Sequence, residues 1–407
     1  MRSRFRARRR RLSGGGARLP AVIVSLCVLL GLFSAPTLPA QTKKSSKRPR
    51  RLDQGIRWHR DAATGELRII APGSPAAGSA LAGPNVMRVN TQAVAVTCIV
   101  ATADGTAVRG LRREDFRILD GGVSRPVTYF DASTQPASVA LVIDASPSVL
   151  RDSEEMKHAA DALIGALAPS DQAAVVDFSA HTYLQFGFSD ARDSIRRAVA
   201  RVDVRELLGD VGGSNIYQAV YLAAHELFPG RTGRKAILLL TDGQDSGLGL
   251  TLDPASAAPG PGRPADNLTF DDVAKLLAEQ DIQIFAVSTE NRPKVMTPEW
   301  LDEHESSTLL NVSARREGIP PYTLYLAELV RRAGGQLYFL RETETMADTF
   351  RKIAEKIRAE YTLGFYPTGP ADPAGASPGW HSVRVEITGQ TNARVSHRAA
   401  YYIPTAQ

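Results

Sequence analysis

Three strand ends or loops in this 407-residue chain carry oxygen side chains. The first is Asp144-Ala145-Ser146-Pro147-Ser148, a carboxylate and two hydroxyls at alternate positions. The second is Ser214, behind Gly212-Gly213, and the third is Asp242, between Thr241 and Gly243. Carboxylate and hydroxyl oxygens suit a hard divalent cation, Mg2+ first, with Mn2+ or Ca2+ as alternatives. Taken singly, Asp and Ser are ordinary turn and helix-cap residues. Taken together, they make a site of modest charge that leaves a coordination position for water or an incoming carboxylate. Other chemistries lack their parts. The seven histidines are scattered, with no HxxxH spacing. No GxSxG elbow surrounds Ser146, and no GxxxxGK[ST] loop is present. An aspartyl-phosphate reading of Asp144 would need a general acid two residues on, where Ser146 stands. Asp210 lies near the glycine pair, where an outer-sphere role and a solvated turn are both open.

The elements that must hold these residues form an α/β pattern. Val139 to Ile143 is an unbroken apolar run, suited to a strand buried on both faces. Arg151 to Leu167 follows with Met156, Ala159, Ala160, Leu163, Ile164 and Leu167 at helical spacing. Further strands are expected at 173–179, 235–240, 282–288 and 336–340, with 183–188 as a hairpin arm. Helices are expected at 190–202, 216–228, 271–280, 322–333 and 345–360. Strands alternating with helices imply parallel pairing through right-handed crossovers. The expectation for residues 136–360 is a doubly wound, mostly parallel six-stranded sheet with helices on both faces. Residues 246–268 and 290–320 read as insertions beside the carboxyl edge, where open α/β sheets bind ligands.

The ends differ from this middle. Residues 1–40 hold eight arginines and no acid, then an apolar run from Ala21 to Ala35 and a small-residue stretch to Ala40. This reads as a signal peptide or an N-terminal membrane anchor, and hence as export. Without it, 41 basic residues face 43 acids, so the formal +6 belongs to the leader. Lys43, Lys44, Lys47, Arg48, Arg50 and Arg51 read as a solvated tail, and no nucleic-acid partner is expected. Residues 41–85 read as a flexible linker, apart from a hairpin near Trp58 and Ile70. Residues 86–132 read as a small antiparallel β unit with turns at Asp104-Gly105 and Asp120-Gly121-Gly122. Residues 361–407 form a C-terminal β segment. Cys98, the one cysteine after the leader, has no partner for an internal disulfide and sits in an apolar alternation.

DASPS, GGSN and LLLTDG, at 144–148, 212–215 and 238–243, resemble the metal-ion-dependent adhesion site of the von Willebrand factor type A family. The resemblance covers about 137–345. It implies that Ser146 and Ser148 ligate the metal directly, and that Asp144 and Asp242 do so directly or through water. Ser214 stands where the family usually has threonine, keeping the hydroxyl and losing a methyl that restricts the rotamer. GLRREDFRILDGG at 110–122 and YTLGFYP at 361–367 resemble the flanks of an exported, acidobacterial-type branch. The implied function is non-catalytic: recognition or adhesion through a Glu or Asp carboxylate that a protein partner offers to the metal. The alternatives are a metal-dependent phosphoester or peptide hydrolase and a structural envelope protein with a vestigial site.

Overall fold

A computed structural model describes residues 49–61, 65–70, 93–102, 105–132, 135–203, 213–247, 267–290, 293, 296, 318–339, 345–367, 377–389 and 393–403. The leader, most of both insertions and Asp210 lie outside the described residues. Among the described residues no helix is long and apolar enough to cross a membrane.

In chain order the N-terminal elements are β1 (Arg50–Arg51), β2 (Arg57–Arg60), β3 (Leu67–Ile70), β4 (Val94–Thr102), β5 (Phe116–Asp120), β6 (Val123–Arg125) and β7 (Tyr129–Asp131). The middle runs β8 (Ala137–Asp144), α1 (Ser153–Ala166), β9 (Gln172–Phe178), β10 (Thr182–Ser189), α2 (Arg192–Val199), α3 (Ile216–Leu227) and β11 (Arg234–Thr241). It continues with α4 (Phe270–Glu279), β12 (Gln283–Ser288), α5 (Pro321–Ala333), β13 (Gln336–Phe339) and α6 (Met346–Ile357). The chain closes with β14 (Glu360–Phe365), β15 (Gly379–Ile387), β16 (Ala393–His397) and β17 (Ala400–Ile403).

The central sheet has the order β1-β10-β9-β8-β11-β12-β13. Strands β9, β8, β11, β12 and β13 are parallel; at one edge β10 pairs antiparallel with β9, and β1 pairs antiparallel with β10. Every residue of β8 is buried. Its pleat sends Ala140 and Val142 into one core with α3, α4 and α5, while Val139, Leu141 and Ile143 meet α1, α2 and α6 on the other face. Growth of the sheet reverses at β8, with β9 added on one side and β11 on the other, so the β8–β11 junction is a topological switch point.

Two findings differ from the sequence reading. The sheet has seven strands, because β1 comes from the stretch read as linker and pairs Arg50 and Arg51 with Leu184 and Tyr183. The same stretch buries Leu52, sets the Trp58 ring 5.3 Å from Tyr221 and pairs Arg60 with Asp272 at 2.7 Å. Its Lys/Arg-rich composition hid these contacts, because each depends on one distant residue and gives no periodic signal.

The β segments at the two ends pair with each other. β4 and β14 lie side by side in the sheet β16-β4-β14-β7, and β5 and β15 do so in β17-β15-β5-β6. The two sheets share an apolar core of Val96, Cys98, Ile118, Leu363, Phe365 and Val385. Tyr361 ties the flanks together: its hydroxyl accepts from Leu111 N at 3.2 Å and donates to Val108 O at 3.0 Å. Arg234, at the start of β11, donates to Glu360 O at 2.9 Å and so fixes the entry to β14.

Candidate metal centre

The strand register sets the first part of the site. Ile143 lies opposite Leu240, which brings Asp144 and Thr241 together at the carboxyl edge. Thr241 Oγ1 donates to Asp144 Oδ2 at 2.7 Å and accepts from Gly243 N at 3.0 Å. Asp144 Oδ1 accepts from Ser146 N at 2.9 Å, which closes a turn into the 3-10 segment Pro147–Val149. Ser146 is the residue before that turn, yet its side chain caps nothing. Its Oγ instead lies 3.0 Å from Ser148 Oγ, so the two hydroxyls form a pair.

The third loop closes the arrangement. Asn215 N donates to Ser179 O at 2.9 Å, which pins the start of α3 beside the end of β9. The preceding Ser214 is buried, and its hydroxyl donates to Asp144 Oδ2 at 3.2 Å. Ser214 N donates to Ser246 Oγ at 3.2 Å, and Ser246 N donates back to Ser214 O at 2.7 Å. A Cβ on Gly213 would fall 2.0 Å from Ser246 Oγ, so the absence of a side chain there permits the lacing.

All five residues named from the sequence lie at this edge. Asp144, Ser146, Ser214 and Asp242 are buried and Ser148 is exposed. Asp144 hydrogen-bonds Ser146 and Ser214 directly, and Asp242 acts on it through charge. Sequence reasoning missed Thr241 and Ser246. The hydroxyl before Asp242 was visible in LLLTDG, but only the parallel register turns it toward Asp144.

The electrostatics are unbalanced. Burial pushes the Asp144 carboxyl up to about 6, and the like charge of Asp242 adds to this against the hydrogen bonds from Ser146 and Thr241. Asp242 Oδ1 accepts from Gln244 N at 2.9 Å, whereas its Oδ2 is buried with no hydrogen-bond donor. Such an oxygen costs about 1–3 kcal/mol unless something positive meets it. Two carboxylates and three hydroxyls are an all-oxygen donor set suited to Mg2+, Mn2+ or Ca2+. Among the described residues no group of three or more His, Cys, Asp or Glu is placed to hold a metal.

Residues 139–244 match the family profile of the von Willebrand factor type A domain, a span that contains all five residues. No curated protein matches the sequence. Among solved structures, an aerotolerance-related membrane protein from Bacteroides fragilis is similar at 16% identity over 54% of this chain and 98% of that chain, with a TM-score of 0.36. A von Willebrand factor type A protein from Catenulispora acidiphila is similar at 13% identity over 78% of this chain and 75% of that one, with a TM-score of 0.36. Proximal thread matrix protein 1 from the mussel byssus, with a zinc-occupied MIDAS motif, is similar at 17% identity over 59% of this chain and 49% of that one, with a TM-score of 0.37.

Proposed function

With the von Willebrand factor type A match over 139–244 as the premise, we propose that the carboxyl edge of the central sheet binds a divalent cation and, through it, a protein partner. Asp144, Ser146, Ser148, Ser214 and Asp242 would hold the cation. Bound there, it would supply a Lewis-acidic position that accepts a Glu or Asp carboxylate from the partner. The chain's own residues do the rest. Thr241 and Ser214 hold the Asp144 carboxylate in place, the 3-10 turn presents the Ser146 and Ser148 hydroxyls together, and the Ser214–Ser246 lacing fixes the second loop.

The observation that carries the reading is the buried, donorless Asp242 Oδ2 beside a second buried carboxylate. A cation relieves both at once. The reading is non-catalytic: an aspartyl-phosphate mechanism at Asp144 would need a general acid two residues on, where Ser146 stands, and no GxSxG elbow surrounds Ser146. The Arg-rich, then apolar, residues 1–40 support binding outside the cytoplasm, in the cell envelope or beyond, and the 110–122 and 361–367 flanks support an exported bacterial branch.

Calorimetric titration of Mg2+ and Mn2+ into the purified protein tests the site, with the Asp144→Ala/Asp242→Ala double variant beside it. Saturable binding lost in the variant supports the proposal. A wild-type protein that stays silent toward both ions, with no gain in thermal stability, removes the metal from the mechanism.

A further inference from the structure

The metal face carries an aromatic residue that cation binding does not use. Tyr322 is the second residue of α5 and is half-buried. Its ring lies against the backbone that follows Asp242: a Cβ on Gly243 would stand 3.3 Å from Tyr322 Cδ2 and 3.7 Å from Leu326 Cδ2. Gly243 has φ 87, a left-handed conformation, and its missing side chain leaves room for the ring. Burial, then the charges of Glu290 and Asp242, raise the phenol above its usual range, so it stays protonated, a neutral donor, at physiological pH. Among the described residues no hydrogen bond engages that hydroxyl. On the β8–α1 loop Leu150, two residues after Ser148, is 52% exposed.

We infer that Tyr322 is a partner-reading residue of the metal face, donating its hydroxyl to the carboxylate received by the cation. The inference rests on the metal reading above. The residue type fits the position. A lysine or arginine beside Asp242 would neutralise a ligand and repel the cation, whereas a phenol adds a donor without charge. A half-buried tyrosine also presents a rigid apolar ring with a polar tip, the side-chain type that dominates recognition surfaces. With Leu150 exposed on the β8–α1 loop, the face fits an acidic residue that has an apolar neighbour.

The test uses Tb3+, a hard cation with the same preference for oxygen, titrated into the full chain, followed by acetate as the carboxylate probe. Directly excited Tb3+ luminescence reports metal affinity, and the lengthening of its lifetime as water is displaced reports acetate binding. Tyr322→Phe is expected to leave Tb3+ affinity within about twofold and to weaken acetate about fivefold, the value of one hydrogen bond. Tyr366→Phe, at a tyrosine 43% exposed beyond β14, is expected to change neither. Equal acetate affinity in Tyr322→Phe, or an equal loss of Tb3+ and acetate binding, overturns the role of Tyr322 and leaves the metal site standing. Absence of Tb3+ binding in the wild type overturns both.

Discussion

Replacing Asp242 by asparagine should make the metal-free protein more stable while abolishing its response to Mg2+. Asp144 has its carboxyl raised from 3.8 to about 6, a shift worth about 3 kcal/mol at 1.36 kcal/mol per unit. Burial is the larger cause and Asp242 the second raising one. The sign follows from the direction. The folded-state value exceeds the unfolded one, so this group penalises folding fully above about pH 6, and the penalty disappears as pH falls through 3.8. At pH 7.5 the Asp144 carboxylate stands ionised in the metal-free site. The asparagine side chain would keep an oxygen for Gln244 N while removing the like charge and the donorless Oδ2. The expected gain is about 2 kcal/mol, or about 5 °C in Tm for a domain of this size. Wild-type protein at 100 times its Kd of Mg2+ gains about 2.7 kcal/mol, and the variant should gain nothing. Thermal unfolding in EDTA and in Mg2+ at pH 7.5 reads both numbers. A variant less stable than wild type in EDTA, or one still stabilised by Mg2+, would refute the reasoning that Asp242 is a ligand held at a cost.

Two further outcomes follow from the same geometry. Because a cation must displace the proton that Asp144 takes up below about pH 6, Mn2+ affinity should be flat from pH 8 to 7 and about tenfold weaker at pH 5; calorimetry across that range checks it, and a constant affinity would contradict it. Gly213→Ala should cost about 1–3 kcal/mol by forcing Ser246 off Ser214 N, with most of the loss restored by adding Ser246→Gly; chemical denaturation of the two single variants and the double variant measures the coupling.

Much of the central domain was legible because its signals are local and periodic. The apolar run of β8 and the helical spacing of α1 mark their elements without help from the rest of the chain. The helix expected from residue 345 begins at Met346, after Thr345 Oγ1 accepts from Asp348 N. The end of the C-terminal β segment breaks into β16 and β17 at Arg398, whose buried guanidinium reaches Ala278 O and Ala95 O. No local pattern marks such a corner, since its partners lie more than 100 residues away in the chain.

By itself the sequence determined which strand ends and loops carry the oxygen side chains of Asp144, Ser146, Ser148, Ser214 and Asp242. Residue type and strand order suffice for that, because parallel strands alternating with helices bring their carboxyl ends to one edge. The tertiary structure alone decided the charge state and the supporting contacts. Thr241 meets Asp144 only through the register of two strands 97 residues apart. The carboxyl of Asp144 rises because packing removes water from it and because the fold sets the like charge of Asp242 nearby. The joining of β4 to β14 and of β5 to β15 was likewise settled in space. Each flank supplies strands that cover the other's open edges, which no local pattern in either flank encodes.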